Sequence, residues 1–205
     1  MIPPGGLRQM KKERTRRRIA DAAIALLEER GYEAATVELI AAQAEVSVTT
    51  FFRYFESKED AFLSTVSTIQ RKIERGLEQR PPDVPLLTVL RGVITDVIRD
   101  APKPARDRVR FRKLDEVPQL HDRMREHEER MQNVFAAAFA QELEESADDL
   151  RPQMLAGAVI GAFHAARCSW FAGPRNVPFD AHLDEALDLV EAMATPIVAN
   201  SRTGR

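Results

Sequence analysis

Cysteine occurs once in the 205 residues, as Cys168. No intrachain disulfide can form, which fits a reducing cytoplasm. No apolar run approaches the roughly 18 residues needed to cross a bilayer, so no membrane partner is expected. The opening MIPPGGLRQMKKERTRRR has no apolar core behind its charges, which argues against a secretory signal. Strand-like alternation is missing, and Val, Ile and Thr do not cluster between turn signals as strands require. There is no internal repeat and no low-complexity tract. No nucleophile stands beside a base, and glycine-rich phosphate loops and metal-ligand spacings are lacking, so neither an enzyme nor a cofactor is expected. What remains is an ordinary globular composition, 44% hydrophobic and 30% charged, written in helical periods.

The net charge of −2 hides an asymmetry. Residues 1–58 carry 10 Lys/Arg against 8 Asp/Glu, a balance of +2, leaving 20 against 24, or −4, for the rest. Residues 1–18 hold seven cations and one anion, Glu13. Such a run is either a solvated tail or a helix start that meets phosphate. About nine helices are expected. The first runs from about Lys12 to Arg30, with Ile19, Ala22, Ala23, Leu26 and Leu27 on one face and Gly31 as its stop. Thr36 caps a second over Val37 to Ala44, Ser47 caps a third, and Ser57 with Asp60 opens a fourth that reaches Gln79 before Pro81. Residues 1–8 and 200–205 are expected to fray. After the prolines come longer amphipathic helices, about Leu86–Arg99, Ala105–Asp115, Gln119–Glu145, Asp149–Phe171 and Ala181–Ala199.

The third helix is the informative one. In VSVTTFFRYFESKE, Val48, Phe51, Phe52 and Phe55 fall within about a 100° arc, a stripe expected to be buried. Thr49, Thr50, Arg53 and Tyr54 lie opposite. A short helix with an aromatic keel and a polar outer face is suited to being held rigidly against a partner. Two short helices separated by EVS and preceded by a longer one make a helix-turn-helix, whose second helix enters the DNA major groove. Threonines suit phosphates or thymine methyls, Arg53 suits the two acceptors of guanine, and Tyr54 suits phosphate.

Here the chain resembles the TetR family of bacterial transcriptional regulators. The resemblance rests on TVELIAAQAEVSVTTFFRYFESKEDAF after GYEAA and covers about Thr15 to Leu63, under a third of the chain. It implies an all-α dimer, with a small N-terminal DNA-binding domain and a larger C-terminal domain that binds a small ligand and forms the dimer seam. The corresponding divisions are 1–56 for the arm and helix-turn-helix, 57–80 for a connecting helix, and 81–205 for the C-terminal domain. By family position, Thr36, Ser47, Thr50, Tyr54 and Lys58 are phosphate contacts, while Arg53 and Thr49 read bases. The basic run Arg14 to Arg18, Arg16 included, adds attraction. Two departures stand out. Thr49 is where relatives often have glycine, and Phe52 replaces a usual tyrosine, so a phosphate-directed hydroxyl is lost and the ring finishes the core. Whether the protein represses or activates is open. The competing class is a DNA-independent helical interaction protein, which would tolerate Arg53→Ala and show no steep salt dependence toward DNA.

In the C-terminal half, helix 149–171 carries no charge from Met154 to Ala166. One face holds Leu155, Val159, Phe163, Ala166 and Trp170; the other holds Gly157, Gly161, His164, Cys168 and Phe171. The last helix sets Leu183, Leu187, Val190 and Ala194 at bundle spacing. Together these helices read as half of an intersubunit four-helix bundle, so Gly157, Gly161, His164, Cys168, Leu183, Leu187, Val190 and Ala194 are the dimer candidates. The alternative is a hairpin wholly inside one subunit. His164 and Cys168 share a face at a spacing of four, which reads either as a metal or redox pair or as a core histidine in a small-residue stripe. Arg167 either pairs across a dimer or faces an acidic ligand group. A pocket lined by some of Phe111, Met131, Phe135, Phe163 and Trp170 would suit a small, largely apolar ligand. The cations of Arg106 to Lys113 spread around their helix, as on a solvated face.

Overall fold

Three short polar side chains start the helices of the N-terminal half. The computed structural model describes residues 4–81, 83–99, 112–174 and 176–203, the side chains of 4–9, 94, 97–99 and 198–203 excepted. In it Thr36, Ser47 and Ser57 each sit in extended backbone and accept from the N–H three residues on. These bonds satisfy donors that the first helical turn leaves orphaned. They open α2 (Val37–Gln43), α3 (Val48–Phe52) and α4 (Lys58–Phe62). Before them, α1 (Pro4–Arg30) ends at Gly31, whose φ of 81° lets its N–H bond the Leu27 carbonyl at 3.1 Å. That left-handed position suits glycine because no Cβ is present to clash. Then follow α5 (Ser64–Glu78), α6 (Leu86–Arg99), α7 (Pro118–Leu143), α8 (Leu150–Ala172) and α9 (Phe179–Thr203). No strand occurs among the described residues.

Several boundaries differ from those the sequence suggests. The first helix begins at Pro4, a residue whose fixed φ suits a first helical position, and α9 runs on to Thr203. The fourth helix is two: at Leu63 ψ opens to 13°, separating α4 from α5. The recognition helix is shorter than its aromatic pattern, ending at Phe52 rather than Phe55. Most of the helix expected over 105–115 lies outside the described residues, of which 112–115 form a helical turn.

The chain divides into two compact units, Met1–Ser67 with Val109–Arg123, and Thr68–Arg108 with Met124–Arg205. The first is built on α1–α4. Its core gathers Ile19, Ala23 and Leu27 of α1, Ile40 of α2, and Phe51, Phe55 and Phe62 from beyond the turn. Leu114, Val117 and Leu120 complete that core, so a segment assigned by chain order to the C-terminal domain packs in the N-terminal unit. Lys113 adds a polar tie, donating to the Glu28 carbonyl at 2.6 Å in the last turn of α1, where a cation also complements the helix dipole.

The second unit packs α9 along α8 and against α6. Its core includes Ile73, Leu90, Phe135, Phe139, Leu155, Val159, Leu183 and Leu187. Buried Gln70 of α5 is satisfied reciprocally by His127 of α7: its amide donates to the His127 carbonyl at 3.0 Å, and its oxygen lies 2.7 Å from His127 Nδ1. Such pairing removes the cost of burying the amide. Arg80 ties the α5–α6 turn to α7, at 2.9 Å from Glu142 and 3.2 Å from the Val84 carbonyl. Helices α5 and α6 meet closely at Gly76, where an added Cβ would lie 2.5 Å from Val93 Cγ2. Valine is stiff at χ1 and cannot swing aside cheaply. Gly76→Ala is therefore expected to destabilise this unit by about 1–3 kcal/mol despite alanine's better helix propensity. Urea unfolding reads the loss; an unchanged or raised midpoint would show that α6 shifts freely.

Candidate nucleic-acid interface

The turn between α2 and α3 is held from α1. Glu45 takes a left-handed φ of 51°, and its N–H and that of Val46 return to the Ala42 and Ala41 carbonyls. Arg18 donates from Nε to the Ala44 carbonyl at 3.1 Å and from Nη2 to the Glu45 carbonyl at 3.2 Å. A guanidinium thus satisfies carbonyls that α2 leaves unpaired at its C-terminus. Arg16 does the same at the other end of α3. Its Nη1 donates to the Tyr54 carbonyl at 2.9 Å, and its guanidinium lies 4.3 Å from the centre of the Phe55 ring. Both arginines belong to the run read as DNA attraction, yet these contacts position the recognition helix. Their sequence signal was only charge, which does not reveal such roles.

On α3 the buried side is rotated from the expected stripe. Phe51 and Phe55 are buried, Thr50 and Tyr54 are half-buried, and Thr49 and Arg53 are exposed. Val48 and Phe52, expected in the core, are 37% and 53% exposed. The outward face is thus Val48, Thr49, Phe52 and Arg53. Core contacts from α1 and α2 take two rings of the three phenylalanines and leave the third outside.

Several of these groups are preordered. The Arg53 guanidinium sits 5.4 Å from the centre of the Tyr54 ring. Ser47 Oγ accepts from the Thr50 N–H at 3.0 Å and donates to Thr50 Oγ1 at 2.9 Å, which leaves the Thr50 hydroxyl proton for an outside acceptor. Thr36 and Ser47 are exposed at their caps. Lys58 is half-buried, with its ammonium 2.9 Å from the Tyr32 carbonyl and 3.9 Å from the centre of the Tyr32 ring. It helps fix α4 to the loop after α1.

Tyr32 and Glu59, which the sequence reading did not single out, complete that fixation through a hydrogen bond from the phenol to the carboxylate. Burial, then this bond and the Glu59 charge, push the Tyr32 phenol above its ordinary value. For Glu59, burial acts upward, but the bonds from Tyr32, its own backbone N–H and Ser57, with the Lys58 charge, bring its carboxyl below the usual range. A depressed folded value contributes stability that is present above the unfolded carboxylate range and is lost as pH falls through the folded value. Tyr32→Phe should therefore cost about 1 kcal/mol at neutral pH, with the difference shrinking in acid. Urea unfolding across the carboxylate range measures it, and a difference that persists undiminished in acid would refute the coupling.

In the second unit, Met131, Phe135 and Trp170 are buried and Phe163 is half-buried. Trp170 lies between Phe171 and Phe179, each with ring centroids at 5.5 Å. Phe111 lies outside the described residues. Arg167 is half-buried, its Nη2 3.3 Å from His164 Nδ1, and Cys168 Sγ is 3.5 Å from His164 Nε2. In the single chain His164 and Cys168 are exposed, as is Gly161, while Gly157 is half-buried. Among the described residues no group of three His, Cys, Asp or Glu assembles to hold a metal. Leu183, Leu187, Val190 and Ala194 are buried in their own protomer's core. They offer no surface to a second copy, because α8 of the same chain already covers the stripe. On α9 it is Leu189 and Met193 that are exposed.

A helix-turn-helix clamped by two arginines, with exposed threonine and arginine on its second helix, defines a DNA-reading module. Known proteins of similar sequence and fold share that module. Residues 19–65 match the family model for bacterial regulatory proteins of the tetR family, and residues 84–195 match that of the MftR C-terminal domain. The HTH-type transcriptional regulator TcmR of Streptomyces glaucescens is 32% identical over 177 residues, spanning 81% of this chain and 77% of TcmR. The HTH-type transcriptional repressor KstR of Rhodococcus jostii is 36% identical over 90 residues, 43% of this chain and 41% of KstR. In fold, SmeT in its triclosan complex superposes with a TM-score of 0.60 at 18% identity, over 87% of this chain and 90% of SmeT; SmeT is the repressor of a Stenotrophomonas maltophilia multidrug efflux pump. The chain belongs to the TetR family of bacterial transcriptional regulators. It is a DNA-binding regulator of a class that works as dimers and responds to small molecules. Among the described residues no helix is long and apolar enough to cross a membrane.

Proposed function

We propose that the protein is a cytoplasmic repressor that binds a roughly palindromic operator as a homodimer and releases it when a small, largely apolar ligand occupies the second unit. The observation that carries this reading is the outward face of α3, where an exposed Arg53 is braced by Tyr54 beside an exposed Thr49. Arg53 takes guanine O6 and N7 and Thr49 touches a neighbouring base edge. Thr50, Tyr54 and the caps Thr36 and Ser47 meet phosphate, while Arg16, Arg18 and Lys58 hold the module in shape. Residues 57–80 connect reading to sensing. Two recognition helices meet major-groove faces about 34 Å apart, so a ligand releases DNA by preferring a conformer with another spacing. The apolar side chains around Phe163 support an apolar ligand, and SmeT, a member of the same fold, is described with triclosan. Exposed Met154, Gly161 and Cys168 of α8 with Leu189 and Met193 of α9 are the surface available for dimerisation.

Fluorescence anisotropy on the DNA upstream of the protein's own gene, against scrambled DNA at equal salt, tests the reading. A preference on the order of 10³-fold with two protomers per site is expected. Equal, weak binding that salt erases would count against it.

A further inference from the structure

Phe52 lies outside the core cluster of the first unit. Its side chain is 53% exposed, while Phe51 next to it is fully buried. Yet the ring is not loose, because it stands on Phe51 in a T-shaped contact, centroids 5.4 Å apart and planes at 86°. Val48, one turn earlier on the same face, is also exposed. Scattered exposed hydrophobics need no explanation, but these do not scatter. In the first unit the exposed large hydrophobics described are Met10, Leu39, Val48 and Phe52, and three of those four lie in the helix-turn-helix.

The partner of this surface is double-stranded DNA, so the apolar ring must find an apolar group in the major groove. Among the four bases only thymine presents one there, its C5 methyl. Resting on the regulator reading above, we propose that Phe52, flanked by Val48, is a specificity-determining residue that reads a thymine methyl in each half-site. The ring is preordered by Phe51, so docking it requires little loss of side-chain freedom. Neighbouring Arg53 fixes the place: the thymine lies within about two base pairs of the guanine that Arg53 takes, given a rise of about 3.4 Å per pair. The usual tyrosine at this position would bring a hydroxyl to the same spot, so the substitution exchanges a polar contact for base discrimination.

The test uses the full-length protein and a duplex selected from randomised DNA for tight binding. Each thymine of the selected site is replaced in turn by deoxyuridine, which removes only the methyl. One such exchange, made in a single half-site, is expected to weaken wild-type binding about fourfold, the burial energy of one methyl-sized group, and about 15-fold when made in both half-sites. In Phe52→Ala that penalty disappears, whereas Phe52→Leu keeps part of it. Both variants should remain folded at the assay temperature, with Phe52→Ala somewhat less stable because it gives up the contact with Phe51. Exchange without effect at every position, or an equal penalty in wild type and Phe52→Ala, overturns the proposal and leaves the regulator reading standing. Failure of the wild type to select any site overturns both.

Discussion

Arg53→Ala lowers operator affinity by roughly 30-fold to 10⁴-fold. A fork-shaped pair with guanine is worth about 1–3 kcal/mol of discrimination, and a dimer makes it twice, giving about 2–6 kcal/mol. The side chain is exposed and its stacking on Tyr54 is a surface contact, so folding should be untouched and the melting temperature should hold. Arg53→Lys separates charge from geometry, because lysine keeps the cation and loses the fork. It should recover binding to scrambled DNA but not the preference for the operator. Anisotropy titrations of all three proteins at two salt concentrations decide this. If alanine and lysine bind the operator like wild type, Arg53 does not read bases, and Thr49 with Phe52 would have to supply the specificity alone.

Arg80→Ala should have the largest effect on stability, about 3–5 kcal/mol. The Arg80 and Glu142 side chains are only 12% and 10% exposed, at 2.9 Å from one another. Removing the cation leaves a nearly buried carboxylate without its partner and also frees the Val84 carbonyl. Replacing both residues, as Arg80→Met with Glu142→Leu, removes both charges and should recover most of the loss. Urea unfolding of the two variants measures it. A single variant within about 1 kcal/mol of wild type would mean that water reaches Glu142 and replaces the arginine. By contrast, half-buried Arg91 is shared by the exposed carboxylates of Asp184, Asp188 and Glu191, so solvent screening should keep its removal well below the cost of Arg80→Ala.

The features legible in the sequence were those settled by neighbours three or four residues away. The caps at Thr36, Ser47 and Ser57 are local bonds from a side chain to the N–H three residues on, and each formed as expected. Gly31 was equally legible, since a left-handed stop wants glycine. Orientation was harder. Four rings on a helix of five residues and its C-cap turn do not say which of them the core will take, so Phe52 was misplaced. The split at Leu63 had no signal, as residues 57–75 contain neither proline nor glycine. On α9 the apolar stripe was read correctly as buried but assigned to the wrong partner, because periodicity reports that a face is covered and not by whom. Arg16 and Arg18 read as loose charge because the carbonyls they bind are 26 and more residues away.

The docking of Leu114, Val117 and Leu120 among the residues of α1–α4 bears on how such a regulator diversifies. Exchange of DNA-reading heads between relatives by a single crossover near residue 67 would leave behind a piece of the head's own interior. A graft that keeps its new head intact must carry two stretches of chain, the first 67 residues and the segment ending near residue 123. Head and sensor in this chain are therefore not separable at a single point.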